Sequence, residues 1–167
     1  MPGVSDATRR DAPPILRAWA TRRPDQLLGK GHPAGDFLEA HDWKVLEERS
    51  GFLRIRSHLP AHVRNPRGQL FGGFTPTYVD LVALFTVRAG EPRTDERFRT
   101  WLATTNMRVD FFEPIVGPEF WIESRLVKKR GRTNFVETRF FDPGDTLAVF
   151  ALTTMREIPL DRPLGDV

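Results

Sequence analysis

The sequence predicts an α+β fold in which an antiparallel sheet of five to six strands packs on one long helix. From residue 43 onward, apolar and polar residues alternate as they do in half-buried strands. Only one long segment, 73–90, has helical spacing in this part of the chain, carried by Tyr78, Leu81, Val82 and Phe85. Strands on both sides of a single helix favour an antiparallel sheet with one face covered by that helix.

The N-terminal extension, 1–42, has weaker patterns. Its first residues are polar and predict disorder. Apolar residues have helical spacing over 14–28, although Pro24 interrupts the pattern. A second, short helix is predicted over 36–43 with Asp36 as its N-cap. We therefore expect an extra helical segment before the main domain.

The main domain, 43–158, begins with two strands joined by the Ser-Gly pair at 50–51. The helix over 73–90 accommodates Pro76 in its first turn and ends at Gly90. Strand patterns then follow to the end of the domain, with turns at Arg130-Gly131 and at the DPGD sequence of 142–145. These strand segments are 101–117, 119–131, 132–141 and 146–158, and the tail is 159–167.

Composition limits the class of protein. The chain has 167 residues, of which 40% are hydrophobic and 28% charged, as expected for one soluble domain. It has no cysteine, which excludes disulfides, zinc-thiolate sites and a thiol nucleophile. No signal-peptide core and no apolar run of bilayer length is present. We therefore expect a cytoplasmic protein without a membrane partner.

The net charge of +3 is too small and too dispersed to indicate nucleic-acid binding. The densest basic cluster, KKRGR at 128–132, has two interpretations. It is either a solvated hairpin or a patch that binds the phosphates of a small ligand. The second interpretation makes Lys128, Lys129, Arg130 and Arg132 candidate substrate-binding residues.

Three stretches together resemble the hotdog-fold acyl-CoA thioesterases of the PaaI type, in the 4-hydroxybenzoyl-CoA thioesterase-like superfamily. The first is NPRGQLFGG at 65–73, followed by Asp80, which is similar to the family pattern N-x-x-G-x-x-H-G-G and a following acid. The others are 104–117, which is similar to the family's central strand, and 128–155, which looks like its closing hairpin. The resemblance covers about 43–158.

The resemblance implies a sheet wrapped around a central helix, hydrolysis of an acyl-CoA thioester, and a homodimer or a dimer of dimers. It implies no cofactor, since CoA is part of the substrate, and no metal. One position departs from the pattern, because Phe71 stands where the family usually has His. The first glycine of the pair, Gly72, and the acid, Asp80, match it. We expect the ring of Phe71 to border the site and expect Phe71 and Gly73 to bind the substrate.

Gly72 and Gly73 suit a site that binds a carbonyl group. Glycine has no Cβ to block a ligand, and the first amides of a helix have no partner within it. A thioester oxygen held there would be stabilised as it becomes an oxyanion. The alternative is that the glycines only make a tight turn into the helix.

Asp80 is the candidate general base, with direct attack on the thioester as the alternative. Eight helical residues between Gly72 and Asp80 amount to roughly 12 Å, whereas reacting atoms must come within about 3–3.5 Å. If both act, Asp80 must come from a second subunit. Asn65 would orient the water or the thioester, or else make an Asn-Pro turn. Thr104 would hold the water or the carboxylate, or else be an ordinary strand residue.

Other chemistries lack their motifs. The sequence has no HExxH zinc motif and no G-x-S-x-G elbow. The last of the four histidines is His62, so the acid-to-histidine signature of hotdog hydratases is missing. The sequence thus predicts a thioesterase whose acyl channel is lined by the helix and 101–112. The alternatives are a non-catalytic acyl-binding hotdog domain and a nuclear-transport-factor-like domain that binds a small apolar ligand.

Overall fold

A computed structural model describes residues 22–90 and 100–159. It contains one six-stranded antiparallel sheet in the order β1-β2-β4-β5-β6-β3, which confirms the predicted α+β class. The strands are β1 (Lys44–Arg49), β2 (Phe52–His58), β3 (Thr100–Phe111), β4 (Glu119–Arg130), β5 (Thr133–Phe141) and β6 (Leu147–Pro159), and the helices are α1 (Pro33–Phe37) and α2 (Thr75–Val87).

The central helix α2 is buried on several sides, because the sheet wraps around it. Seven of its residues are buried, among them Tyr78, Val79 and Val82. The Tyr78 ring stacks on Trp43 with centroids 5.3 Å apart and meets the edge of Phe120 at 5.4 Å. These contacts place the principal core between α2 and the inner face of the sheet.

The predicted helix 73–90 is longer than the α-helix that forms. A 3-10 turn, Gly72–Phe74, comes first, and α2 begins only at Thr75, with the proline in its first turn. Backbone glycines lose more entropy than other residues in a helix, so they favour the turn over the helix interior. At the other end Arg88 is the C-cap, and Gly90 follows with a φ of 77°.

The strand turns lie within one residue of their predicted positions, although the strand predicted over 101–117 ends at Phe111. β1 and β2 meet at 50–51, β4 and β5 at 131–132, and β5 and β6 at 142–146. Alternation in β2 places Leu53, Ile55 and Ser57 in the interior. The buried set therefore follows the period of two that the sequence shows.

The N-terminal helix differs from its prediction. α1 spans Pro33–Phe37, and its N-cap is His32, whose Nδ1 accepts a hydrogen bond from the Gly35 amide at 3.0 Å. Asp36 lies inside this helix, and its carboxylate accepts from the Gly31 amide at 3.0 Å instead. A 3-10 turn, Ala40–Asp42, completes the segment.

The helix predicted over 14–28 lies mostly outside the described residues. Its last part, 22–28, is not helical. The proposed domain limits of 1–42, 43–158 and 159–167 stay predictions, although β1 and β6 begin and end within two residues of them. No helix in 22–90 or 100–159 is long and apolar enough to cross a membrane.

One edge of the sheet is formed by β3. It pairs with β6 on one side, and on its other side no strand lies among the residues that the structure describes. Exposed apolar side chains accompany this edge, with Trp101 near one end of β3 and Phe111 and Phe112 at the other. An open strand edge with exposed aromatic residues is a surface that can pair with another chain.

Candidate active site

The turn before α2 presents two free amides. Gly72 and Gly73 are exposed, and neither amide donates a hydrogen bond within 22–90 or 100–159. The turn is closed instead by the Phe74 amide, which donates to the Phe71 carbonyl at 2.9 Å, and by the Thr75 amide, which donates to the Gly72 carbonyl. Unpartnered donors at the positive end of α2 are suited to hold a carbonyl oxygen.

The two glycines differ in the space around them. A Cβ on Gly73 would lie 2.7 Å from Cε1 of Phe71, so the ring packs where only a glycine fits. A Cβ on Gly72 would meet the Phe111 ring at 3.6 Å, which is an ordinary contact. The Gly72 position can therefore take a methyl group without disturbing the fold, whereas the Gly73 position requires the Phe71 ring to move.

A cavity of about 290 Å³ opens beside Gly72. Its walls come from the loop before the turn, the start of α2, the segment after β3 and one residue of β6. Aliphatic and aromatic side chains share the lining with polar groups, among them Gln69, Thr75 and Glu113. The lining residues are Gln69, Leu70, Gly72, Thr75, Phe111, Phe112, Glu113, Pro114, Ile115 and Val149.

Asp80 lies near the middle of α2 and is half-buried. The Thr104 hydroxyl on β3 donates a hydrogen bond to its Oδ1. The two residues that the sequence singled out as acid and neighbouring hydroxyl are thus brought together, on the exposed edge strand. A carboxylate held by one donor retains acceptor capacity for a water molecule.

Within one chain, Gly72 and Asp80 are far apart. Gly72 lies against Phe111, whereas Asp80 bonds to Thr104, which precedes Phe111 by seven residues on β3. Seven strand residues span roughly 23 Å. The helix positions alone separate the two by about 12 Å. One chain therefore does not bring the free amides and the carboxylate to the same atom.

Between these two positions lies Tyr78, the only tyrosine of the chain. It is fully buried, and burial raises the pKa of its phenol well above the usual range, with a smaller contribution from Glu39. The phenol therefore stays protonated at neutral pH and belongs to the core, and Asp80 is the carboxylic acid of α2.

Asn65 is engaged in its own loop. Its Oδ1 accepts from the amides of Arg67 and Gln69 at 2.9 and 3.1 Å, and its Nδ2 donates to the Gln69 side chain at 3.3 Å. These contacts are the ones expected if Asn65 makes an Asn-Pro turn. Through them Asn65 orients Gln69, a cavity residue, so its direct contact with substrate stays a prediction.

Phe71 is half exposed beside the turn, with its ring 5.6 Å from that of Phe74. It borders the Gly72 and Gly73 amides, as the alignment of this loop predicts. Its part in binding substrate stays a prediction. An aromatic ring here supplies an apolar wall, whereas the histidine usual in the family pattern would supply a polar group.

The basic cluster forms the exposed tip of the β4–β5 hairpin, as the solvated-hairpin interpretation expects. Lys129 is ion-paired with Glu157 at 2.7 Å. Strand register aligns Lys129 with Thr104 across Asn134 and Met155, three strand spacings or about 14 Å away. The cluster is thus on the side of Asp80, not of Gly72.

Three polar cavity residues, Gln69, Thr75 and Glu113, were not among the predicted site residues. Gln69 lies inside the NPRGQLFGG stretch, so the motif was the signal that could have found it. Glu113 follows β3 in the loop that closes the cavity. Nothing in its local sequence marks it, because its position depends on how that loop meets the turn before α2.

Solved structures confirm the fold. A hypothetical thioesterase protein with coenzyme A from Streptococcus pneumoniae TIGR4 matches with a TM-score of 0.59 at 12% identity, over 72% of this chain and 89% of that one. A conserved protein from Pseudomonas aeruginosa matches with 0.62 at 17%, over 75% and 94%. A thioesterase from Haemophilus influenzae matches with 0.63 at 10%, over 77% and 85%.

Sequence comparison gives the family. A search of curated proteins found no match. Residues 67–149, however, match the family model of the thioesterase superfamily, and this segment runs from the Gly72 turn through α2 to the start of β6. It therefore contains both halves of the candidate site, the free amides and the Asp80–Thr104 pair. The segment 67–149 of the hotdog fold is thus a match to the thioesterase superfamily.

Proposed function

We propose that the protein is an acyl-CoA thioesterase of the PaaI type that hydrolyses its substrate to a free acid and CoA. The observation that carries the proposal is the pair of free amides at Gly72 and Gly73, beside a cavity that Gly72 lines together with both apolar and polar groups. The match of 67–149 to the thioesterase superfamily supports the reaction class. The CoA named in the streptococcal structure supports the choice of thioester.

The chemistry follows from the groups available. The thioester oxygen accepts hydrogen bonds from the Gly72 and Gly73 amides, which polarises the carbonyl. Asp80 takes a proton from a water molecule while the water oxygen bonds to the carbonyl carbon. The negative charge that develops on the thioester oxygen is stabilised by the amides. Collapse of this intermediate breaks the C–S bond, and the CoA sulfur receives the proton that Asp80 accepted.

The proposed site is shared between two subunits. The free edge of β3 supplies the pairing surface, and antiparallel pairing of two β3 strands brings the Phe111 end of one chain toward the Thr104 end of the other. Asp80 of the partner subunit then approaches the Gly72 amides. A two-fold axis makes two such sites. Larger assemblies, such as a dimer of dimers, would use the outer face of the sheet.

CoA binding involves the hairpin tip in this arrangement. The subunit that contributes Asp80 also contributes the β4–β5 tip to the same site, because both lie at the same end of its sheet. The exposed cations that would bind the phosphates are Lys128, Arg130 and Arg132. Lys129 is already ion-paired with Glu157. Charge-assisted hydrogen bonds to phosphate favour such a cluster.

A thiol-release assay over a panel of acyl-CoA thioesters tests the proposal, with Asp80→Asn as the matched variant. The substitution keeps the shape of the side chain and removes the base. We expect wild-type turnover on at least one thioester and a kcat lower by about 10²–10⁴-fold in the variant, as for loss of a general base. Wild-type protein that binds acyl-CoA without releasing thiol would establish the non-catalytic alternative instead.

A further inference from the structure

The N-terminal helix α1 contacts the turn that carries the free amides. The ring of Phe37, the last residue of α1, lies 5.4 Å from that of Phe74, and Phe74 lies 5.6 Å from Phe71. Phe71 and Phe74 are the residues on either side of the glycine pair. A row of three aromatic rings therefore runs from the N-terminal extension across the Gly72–Phe74 turn.

Phe37 is itself held in place from the main domain. The His62 ring packs edge-on against its ring at 5.0 Å, and Nε2 of His62 lies 2.5 Å from its carbonyl oxygen, to which it donates. Two residues further on, Glu39 bonds to Nε2 of His58 at 2.6 Å. Contacts through a ring, a carbonyl and a carboxylate fix this part of the extension against the loop that leads to the turn.

The turn needs such support. Two adjacent glycines have more backbone freedom than any other pair, and within 22–90 and 100–159 the bonds from the Phe74 and Thr75 amides alone close the turn. Stabilisation of an oxyanion depends on donors that are already aligned. A displacement of about 1 Å can lower a rate by about 10²-fold. The rings that flank the glycines are therefore the parts of the chain that can set the direction of the amides.

We propose that Phe37 is a positioning residue of the active site, which holds the Gly72 and Gly73 amides in their working direction through Phe74. The proposal rests on the proposed function and assigns a role to α1, which precedes the segment 67–149 that matches the thioesterase superfamily. Phe37 is 41% exposed, so its ring does not serve chiefly as a core side chain. Its contact with Phe74 is the feature that supports a positioning role.

The test compares Phe37→Ala with Phe135→Ala. Phe135 is a phenylalanine of almost equal exposure, 40%, and lies on the outer face of β5 between the buried Asn134 and Val136. We expect Phe37→Ala to lower kcat by about 10- to 100-fold with little change in KM, because the amides act mainly on the transition state. Phe135→Ala should keep the wild-type kcat. Phe37→Tyr retains the ring and should restore turnover.

Hydrogen exchange gives a readout that does not depend on activity. The amides of Phe74 and Thr75 close the turn, so they should exchange faster in Phe37→Ala than in wild-type protein or Phe135→Ala. If Phe37→Ala does not fold, Phe37→Leu, which keeps bulk but not the ring, takes its place in both measurements.

The outcomes separate the two proposals. Faster exchange in an active enzyme whose kcat does not fall would overturn the positioning role of Phe37 and leave the thioesterase intact. An equal loss of kcat in Phe37→Ala and Phe37→Tyr, or in Phe37→Ala and Phe135→Ala, would overturn it too. Wild-type protein without thiol release would overturn the proposed function, and the exchange of Phe74 and Thr75 would still show whether Phe37 holds the turn.

Discussion

The hydroxyl of Thr104 donates a hydrogen bond to the carboxylate of Asp80 and so joins the middle of α2 to the edge strand β3. Asp80 is half-buried, and Thr104 is exposed at the strand that has no neighbour on its outer side among the described residues. The pair thus lies at the surface where a second chain can pair with the sheet. In the proposed shared site, this position would let Asp80 act on a thioester bound at the Gly72 turn of the other subunit.

Thr104→Val should reduce turnover while leaving the protein folded. Valine keeps the shape of threonine and removes the donor, and a hydrogen bond to a charged group contributes about 1.5–3 kcal/mol. Without this hydrogen bond the Asp80 carboxylate is less well oriented, which should lower kcat by about 10- to 100-fold. Thr105→Val is the matched control, because the Thr105 hydroxyl donates to the Thr154 carbonyl and not to Asp80. Equal activity of the two variants would leave Thr104 as an ordinary strand residue.

Gly72→Ala should give a stable but impaired enzyme. The new Cβ meets Phe111 at 3.6 Å, so the thermal midpoint should stay near the wild-type value. The methyl group would occupy the approach of the thioester to the amide, and loss of an oxyanion donor costs about 2.7–4 kcal/mol, or about 10²–10³-fold in kcat. Calorimetry checks the thermal midpoint, and steady-state kinetics check the loss of kcat. A folded, fully active variant would show that Gly72 only forms the turn.

The Glu39–His58 pair makes stability depend on pH in the acid range. The hydrogen bond from His58 lowers the pKa of the Glu39 carboxyl below its usual value. A lowered pKa in the folded state means that the contribution is present above the unfolded pKa and is lost as pH falls through the folded one. The difference in thermal midpoint between wild type and Glu39→Gln should therefore shrink on acidification. A difference that is constant with pH would contradict the lowered pKa of Glu39.

The sequence predicts the sheet and the helix well because both are carried by local periodicity. Alternation in β2 and the turn residues at 50–51 and 142–145 act within a few residues, so they can be found without knowing the rest of the fold. The N-cap of α1, in contrast, is not the residue that the local sequence predicts. An aspartate is the expected N-cap, yet the His32 ring takes that position while Asp36 accepts from Gly31.

The candidate site likewise has one part that the sequence predicts and another that only the structure shows. The motif identifies Gly72 and Asp80, and the structure adds the hydroxyl that holds Asp80 and the cavity beside Gly72. The contact of Phe37 with Phe74 joins residues 37 positions apart, and no local pattern predicts it. Strand order is likewise non-local, so only the structure shows that β3 lies at an open edge.

The shared site makes a prediction about mixtures of inactive variants. Gly72→Ala and Asp80→Asn each remove one half of every site in their own homodimers. In a heterodimer, one site combines both defects, and the other combines the intact Gly72 of one chain with the intact Asp80 of its partner. Mixing the variants under conditions of subunit exchange should therefore restore thiol release, up to half of the wild-type activity per heterodimer.

The separation of the two residues makes the result decisive. If a single chain formed the whole site, every site in the mixture would carry one defect and no activity would return. The Phe111 and Thr104 positions, about 23 Å apart along β3, argue against that arrangement. Circular dichroism checks that each variant is folded, and a pull-down with one tagged variant checks that subunits exchange. With both controls satisfied, a mixture that stays inactive would exclude the shared site and with it the dimer inferred from the distance between Gly72 and Asp80.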